Sequence, residues 1–379
     1  MKLLKIILLS IFFLFCLPTS VEAVVNPLIS ENNKMGIHIL DAAEIKNVAD
    51  LVNSNGGDWG YVVVPIRADD RNREKWNAFM QDAGQKHLIP IIRLASYMTN
   101  NYWTKPTKFQ IIDFANFLND LDWPTKNRYV IIYNEPNHAA EWGGNINPQE
   151  YGDVLTLAST IFKERSEDFF ILPAGLDCAA PNDRTQHMRW DTFLTQMNWY
   201  NPQALQTIDG WNSHSYPNYA FSGKPTDRHD HSIYSFAYET ALVKNLTGKN
   251  YPVFITETGW SNEYISDEKI GEYFITAFNT AWDDANIVTV APFLLKAGAG
   301  DFAKFSLLFP NEEEKPQYKT LALMQKNAGR PVLANSNEDK KVLGINIDSL
   351  DSTPVATFSP QLEEEKWEEV FGWFKKLVK

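Results

Sequence analysis

Short apolar runs alternate with longer amphipathic segments along most of this chain. Eight runs have the length of a β-strand and are rich in β-branched and aromatic residues. They cover residues 35–40, 61–66, 88–94, 129–133, 170–174, 208–213, 253–256 and 287–294. The segments between them repeat apolar residues three or four positions apart, as Phe274, Phe278 and Trp282 do. This alternation predicts a parallel β-sheet with helical connections.

The number of repeats selects the architecture within this α/β class. Eight strand-and-helix units in about 300 residues are typical of a closed (β/α)8 barrel, which we predict over residues 24–329. The alternative, a doubly wound open sheet, usually carries a glycine-rich loop after its first strand. Here that strand is followed by Asp-Ala-Ala-Glu at residues 41–44. A single barrel is therefore the predicted fold.

The amino terminus has the composition of an export signal. Lys2 and Lys5 precede an apolar stretch at residues 6–17, and Val-Glu-Ala at residues 21–23 is a small-x-small cleavage sequence. The apolar stretch is shorter than the ~20 residues needed to cross a bilayer. We therefore predict that residues 1–23 are cleaved, that the mature protein has no stable membrane span, and that it is secreted or retained in the cell envelope.

Residues 330–379 form a predicted extension beyond the barrel. Most of it is polar and without period, but residues 361–379 space their apolar side chains as an amphipathic helix does. Docking on the barrel and contact with a membrane or partner both fit that helix.

Composition narrows the ligand class. The 379-residue chain is 44% hydrophobic with a formal net charge of −12, and loss of Lys2, Lys5 and Glu22 makes it −13. An acidic exported protein is poorly suited to nucleic acid, whose phosphates require clustered Lys and Arg. A neutral glycan fits better, and the composition indicates no oligomeric state.

The sequence predicts neither a cofactor nor a metal. Cys178 is the only cysteine after residue 23, which excludes an internal disulfide and a cysteine-based zinc site. His229, Asp230 and His231 are neighbouring potential ligands, but metal binding requires convergent geometry, and we interpret them as a solvated acidic loop.

Two glutamates follow predicted strands directly. Glu135 lies in Tyr-Asn-Glu-Pro-Asn at the end of the fourth strand, and Glu257 lies in Ile-Thr-Glu-Thr-Gly-Trp at the end of the seventh. A lone glutamate there is more often a cap or a surface charge, but strands four and seven of a barrel point at one shared cavity. Two carboxylates about 5–5.5 Å apart are what glycoside hydrolysis through a covalent intermediate requires. Four further carboxylates lie near predicted strand ends and become the catalytic candidates if one strand is misplaced: Glu141, Asp177, Asp209 and Asp301.

Several neighbours of this pair are candidates for substrate binding or for tuning the glutamates. Arg67, at the end of strand two, could keep Glu257 ionised, and Asn134 can donate to a sugar hydroxyl. On strand six, His214 and Tyr216 alternate so that both face the same way. The tyrosine hydroxyl could hold the nucleophile in place.

Aromatic and imidazole side chains complete the candidate site. Trp142, Tyr216 and Trp260 could offer faces on which sugar rings stack. His38, at the end of strand one, fits either a cavity residue or a hydrogen-bonded structural histidine.

Residues 33–328 resemble the clan A retaining glycoside hydrolases. The resemblance rests on Asn-Glu-Pro at residues 134–136 of strand four and Thr-Glu at residues 256–257 of strand seven. It implies a (β/α)8 barrel in which Glu135 is the acid/base and Glu257 the nucleophile. His214, Tyr216 and Arg67 are similar to the strand-six and strand-two motifs of the endoglucanase and mannanase families.

The motifs disagree about the substrate. Tyr-Asn-Glu-Pro-Asn is similar to β-xylosidases and iduronidases, whereas Thr-Glu-Thr-Gly-Trp is similar to endo-β-1,3-glucanases and endo-galactanases. Strand eight lacks the tryptophan of many clan members, and strand three ends in Ile-Arg-Leu at residues 92–94, where some families have a histidine. A hydrolase of β-linked glycans is the leading hypothesis. A binding barrel without turnover and a transglycosylase using the same two glutamates remain alternatives.

Overall fold

A computed structural model describes residues 24–99, 101–298 and 300–334. The predicted signal at residues 1–23 and the predicted terminal helix at residues 361–379 lie outside the described residues. Within the described part of the chain, no helix combines the length and the apolar composition needed to cross a membrane.

Eight strands lie within or next to the predicted runs. They are β1 (Gly36–His38), β2 (Gly60–Arg67), β3 (Leu88–Ala95), β4 (Arg128–Ile132), β5 (Phe169–Pro173), β6 (Trp211–His214), β7 (Val253–Thr258) and β8 (Ile287–Pro292). Most of their residues are buried on both faces, which is the pattern of parallel strands covered by helices. A hairpin of two-residue strands, Met98–Thr99 and Tyr102–Trp103, follows β3.

One α-helix follows each strand. They are α1 (Ala49–Val52), α2 (Arg73–Gln85), α3 (Lys108–Asn119), α4 (Pro148–Arg165), α5 (Trp190–Tyr200), α6 (Ser235–Thr247), α7 (Asp267–Phe278) and α8 (Pro316–Leu323). Local sequence sets several of their boundaries: Thr107 and Gln110 form a capping box at α3, and Pro148 occupies the first turn of α4.

The strands follow a circular order but form two sheets. Strands β1 to β5 pair in parallel as one sheet, and β6, β7 and β8 form another. Isolated parallel bridges join the two at Met35–Val290 and at Asp177–His214. The predicted closed barrel is thus an arc of five strands and an arc of three in this structure. Because β1 has only three residues and β6 only four, each forms a regular ladder with one neighbour alone.

Two apolar layers fill the fold. Inside the ring of strands, Tyr129, Phe170 and Phe254 pack against one another near the strand amino ends. The alternate strand residues, such as Val130 and Ile132, pack outward against the helices. These aromatic side chains fill the ring at the amino ends of the strands, so a cavity is left at the carboxyl ends.

The chain beyond the predicted boundary at residue 329 remains hydrogen-bonded to the barrel. The Arg330 amide donates to the Glu31 carbonyl, and the Lys126 amide donates to the Val332 carbonyl, each at 2.8 Å. Residues 330–334 therefore lie against the same unit as the strands.

We predict that Phe254→Ala destabilises the protein by about 3–5 kcal/mol, because it leaves a cavity between Tyr129 and Phe170 that rigid strands cannot close. Leu323→Ala is the control: this side chain is 78% exposed, and its loss should change the unfolding free energy by at most about 0.5 kcal/mol. Urea denaturation measures both. Equal midpoints would contradict the description of Phe254 as a core residue.

Candidate active site

A cavity of about 610 Å³ opens at the carboxyl ends of the strands. Both Glu135 and Glu257 line it, as do side chains from every strand-to-helix loop except that after β7, together with the residues at the strand ends. Its volume lies within the range of sites that enclose small organic ligands.

Glu135 reaches the cavity through an unusual backbone turn. Tyr133 and Glu135 have φ angles of +68° and +29°, in the left-handed region that non-glycine residues seldom adopt. The Glu135 amide donates to the Gly175 carbonyl at 3.2 Å, which ties the turn to the neighbouring loop. Such strain persists only where surrounding contacts impose it, and it concentrates at functional sites.

Glu257 reaches the cavity through a β-bulge in β7. Ile255 pairs with Ser213 of β6, but the next residue of β6, His214, pairs with Glu257. The register with β8 skips one residue of β7 in the same place. Phe254 packs inside the ring of strands, so regular alternation would turn Glu257 outward toward the helices. The extra residue reverses that direction and turns the carboxylate into the cavity.

The two carboxylates share one histidine. His214 Nδ1 lies 2.7 Å from Glu135 Oε1 and 3.9 Å from Glu257 Oε2. The Tyr216 hydroxyl donates to Glu257 Oε2 at 3.1 Å, and His38 Nε2 lies 3.4 Å from Glu257 Oε1. One oxygen of each glutamate and one nitrogen of His214 all lie within 4.8 Å of one another.

Charge and burial give Glu257 and Tyr216 very different pKa values. Burial alone would raise the pKa of Glu257, but the charge of His214 and the proximity of His38 and Arg93 bring that pKa well below its usual range. Burial and the charges of Glu257 and Glu135 raise the pKa of Tyr216 well above its usual range. Glu257 is therefore a carboxylate that accepts a hydrogen bond from a protonated phenol.

The two histidines respond differently to the same burial. Burial lowers the pKa of His38, which is fully enclosed. Burial also acts to lower the pKa of His214, but the negative charge of Glu257 and the contact with Glu135 raise it above its ordinary value. His214 is thus more basic than an ordinary imidazole despite its burial.

A third carboxyl group faces Glu135 from the following loop. Burial, and then the charge of Glu135, raise the pKa of Glu141 to about 7. The side chain of Asn134 contacts it, and the Asn134 Oδ1 atom is buried without a partner among the described residues. Asn134 itself is among the residues that line the cavity.

His138 and Asp177 form a charged pair at the cavity wall. His138 Nε2 lies 2.8 Å from Asp177 Oδ2. Burial opposes the charge on the imidazole, but the hydrogen bond to Asp177 and the charge of Glu135 raise the pKa of His138 to about 8.

Arg67 does not reach Glu257, contrary to the role predicted for it. Its Nε and Nη2 atoms donate to the two oxygens of Asp69 at 2.9 and 3.0 Å, at the exposed rim of the cavity. The positive charge of Arg93, in β3, lowers the pKa of Glu257 instead. The Arg93 Nε atom is buried and lacks a hydrogen-bond partner within the described chain. The sequence offered a signal here, since Arg93 stands where some families have a histidine.

Trp142 and Trp260 are core residues, which corrects their prediction as stacking platforms. They are 1% and 2% exposed, so neither indole offers a face to a ligand. Trp142 packs edge-on against Tyr133 and Tyr151. Trp260 packs in the same way against Phe274 of α7. Both belong to the layer between strands and helices, because their loops turn them away from the cavity.

Other aromatic residues line the cavity and were not predicted from the sequence. They are Trp103, Phe221, Phe293, Phe302 and Phe305. Phe293 directly follows β8, and its ring lies against that of His38 with centroids 5.0 Å apart. Phe302 is 53% exposed and reaches the mouth. Aromatic residues after strand ends were the available signal, but the direction of a loop side chain cannot be read from periodicity.

The His229, Asp230 and His231 side chains are closer together than their spacing suggested. One potential ligand atom of each lies within 4.8 Å of the others. The Asp230 carboxylate already faces His231 Nδ1 at 2.9 Å, Trp190 Nε1 at 3.3 Å and Arg189 at 3.4 Å. These contacts satisfy the carboxylate within the protein.

No protein-family model matches the sequence, and no curated protein matches it. The solved structures that it resembles include glycoside hydrolases. A family 39 enzyme from Bacteroides cellulosilyticus WH2 superposes with a TM-score of 0.54 at 16% identity, covering 79% of this chain and 64% of the other. The chain thus spans just under two thirds of that protein.

Two further structures show the same likeness. A GH5_18 protein from Streptomyces cattleya, solved with GlcNAc, has a TM-score of 0.54 at 18% identity and covers 77% of this chain and 80% of its own. A structure described for two fungal β-1,4-galactanases has a TM-score of 0.53 at 13% identity, covering 73% and 90%. At these identities the comparisons establish the fold.

We predict that Gly175→Ala disturbs the site by overpacking. A Cβ atom at Gly175 would lie 2.2 Å from His214 Cδ2, so the imidazole or the loop must move, at a cost of about 1–3 kcal/mol. Gly298→Ala is the matched control, because its Cβ would have no neighbour within 4 Å. Chemical denaturation measures both variants. An unfolding free energy for Gly175→Ala equal to that of the control would show that the ring is not clamped there.

A second prediction concerns protonation. In an NMR titration of the wild-type protein, His138 should titrate at about 8, and Asp177→Asn should lower that pKa, since burial then dominates. Because the folded-state pKa exceeds the ordinary value of about 6.5, the pair stabilises the fold below that pH. The stabilisation disappears as pH rises through about 8. An unchanged His138 titration in Asp177→Asn would contradict the assignment.

Proposed function

We propose that this protein is a retaining glycoside hydrolase, with Glu135 as acid/base and Glu257 as nucleophile. The observation that carries the proposal is the pairing of two glutamates across one cavity, where an oxygen of one lies within 4.8 Å of an oxygen of the other. The likeness of the fold to glycoside hydrolase structures supports the same reaction class.

The spacing favours double displacement over single displacement. Retaining enzymes hold their carboxyl groups about 5–5.5 Å apart, whereas inverting enzymes need about 6.5–9.5 Å to admit a water molecule between substrate and base. The close approach of Glu135 and Glu257 leaves room for direct attack by one carboxylate.

In the first step, the Glu257 carboxylate attacks the anomeric carbon while Glu135 protonates the departing oxygen and the glycosidic bond breaks. Glu257 suits this role because its pKa is lowered by the charge of His214 despite burial. The Tyr216 hydroxyl, 3.1 Å from Glu257 Oε2, holds the attacking group in one orientation. The product is a covalent glycosyl ester and a released alcohol.

In the second step, Glu135 removes a proton from water, and the oxygen of that water displaces Glu257 from the anomeric carbon. The 2.7 Å contact between Glu135 Oε1 and His214 Nδ1 supports this change of role, because it stabilises the carboxylate once its proton has left. Two inversions at one carbon give net retention.

The lining of the cavity favours an uncharged glycan. Its ionisable members are the carboxylic acids Asp41, Asp70, Glu135, Glu141, Asp177 and Glu257, the bases Arg67, Arg93 and His138, and the phenol of Tyr216. The excess of carboxyl groups disfavours a negatively charged uronate. The phenylalanine side chains that line the cavity suit the apolar face of a neutral sugar. The predicted export signal is consistent with a β-linked polysaccharide or oligosaccharide outside the cell.

We predict that Glu257→Ala abolishes release of reducing sugar from a panel of β-linked polysaccharides and aryl glycosides. Added azide should partly restore turnover and yield a glycosyl azide, because the small anion can occupy the space that the carboxylate leaves. Glu135→Ala should slow turnover by about 10²–10⁴-fold on poor leaving groups. Glu268→Ala, an exposed position on α7, is the control and should retain full activity.

Other outcomes separate the alternatives. Unimpaired turnover in Glu257→Ala would refute the assignment of the nucleophile. Glycan affinity without any release by the wild-type protein would favour a binding barrel. Products longer than the substrate, detected by mass spectrometry, would identify transglycosylation.

A further inference from the structure

A buried carboxyl group lies behind the site, on the outer side of β6. Glu239 of α6 is fully buried and does not line the cavity. Burial raises its pKa to about 7, against the opposing effects of Ser213, Cys178 and the charge of His214. Burying a carboxyl group is costly unless its hydrogen bonds are supplied by the protein.

Three hydroxyl groups form a chain that leads to this carboxyl group. Ser235 Oγ donates to Ser215 Oγ at 3.0 Å, and Ser215 Oγ lies 2.8 Å from Ser213 Oγ. Ser213 Oγ in turn donates to Glu239 Oε2. All three serines are essentially inaccessible to solvent. The thiol of Cys178 and the indole of Trp211 face the same carboxyl group.

Two of these hydroxyls belong to the strand segment that carries His214, so their hydrogen bonds hold that segment in place. Ser213 and Ser215 precede and follow His214, and by strand alternation they point outward while the imidazole points inward to Glu135 and Glu257. The same segment lies beside the bulge of β7, where His214 pairs with Glu257 instead of Thr256. Its position is also fixed by the Thr258 hydroxyl, which donates to the Ser215 carbonyl at 2.6 Å.

Little freedom is left to the imidazole itself. Gly175 lies so close to the ring that a Cβ atom there would overlap it. A small shift of β6 would therefore either lengthen the 2.7 Å contact with Glu135 or force the ring against the loop after β5.

We propose that Glu239 is a positioning residue: through Ser213 it holds the segment of β6 that directs His214 at Glu135 and Glu257. When it is ionised, the Glu239 carboxylate is also attracted to the positive charge of His214 and so favours the protonated ring. The kinetic part of this inference rests on the proposed function, whereas the protonation of His214 does not.

The test compares Glu239→Gln with the wild-type protein and with Glu268→Gln, an exposed control. Glutamine keeps the shape and one acceptor oxygen but removes the charge. We expect Glu239→Gln to lower kcat by about tenfold to hundredfold, as when a catalytic group is misplaced, with KM changed less than twofold. The limb of the pH–rate profile that reports His214 should move to lower pH.

An NMR titration of His214 provides a readout that needs no turnover. Its pKa should fall in Glu239→Gln and stay constant in Glu268→Gln. The groups that interact with His214 from the other elements are His38, Arg93, Glu135, Asp177 and Glu257, and all of them are kept in both variants. Ser213→Ala removes the connection without leaving a new donor, and it should reproduce the kinetic loss if Glu239→Gln does not fold.

The outcomes are distinguishable. A folded Glu239→Gln protein with an unchanged His214 titration and an unchanged pH–rate profile would overturn the inference and leave Glu239 a purely structural group. Absence of glycosidase activity in the wild-type protein would overturn the proposed function, while the titration would still test the contact with His214.

Discussion

The buried negative charge of Glu257 is the constraint on which the rest of the site depends. A carboxylate that is only 8% exposed must be compensated by the protein, because water does not reach most of it. The compensating groups come from separate strands: His38 from β1, Arg93 from β3 and His214 from β6. The ring of parallel strands brings these groups together, so the electrostatics of the site depend on the architecture of the fold.

Local irregularities then aim the two carboxylates. The bulge in β7 turns Glu257 inward, and the left-handed turn at Tyr133 and Glu135 directs the second glutamate over the same cavity. Both conformations are less favourable than regular strand, and the barrel supports them through contacts such as that of Glu135 with the Gly175 carbonyl. Strain at the strand ends is tolerated because the regular core below supplies the stability.

Much of the fold and part of the site were accessible from periodicity. Apolar runs identified all eight strands and placed Glu135 and Glu257 at the ends of the fourth and seventh. The predicted roles that the structure corrects are those of Arg67, Trp142 and Trp260. All three residues lie in loops or at a strand terminus. There alternation no longer determines direction: a guanidinium finds its nearest carboxylate, here Asp69, and an indole packs wherever apolar surface is available.

The amino-acid sequence by itself determined the strands, their parallel order and the two glutamates that follow them, because these depend on local periodicity and on short motifs. Tertiary structure decided which groups surround the glutamates. Arg93, and not Arg67, acts on the charge of Glu257. Phenylalanines from the loop after β8, and not the two tryptophans, line the cavity. Glu239 lies behind the strand segment that carries His214. Each of these contacts joins residues distant in sequence. Their geometry depends on register shifts and loop paths that arise only when all the strands pack together.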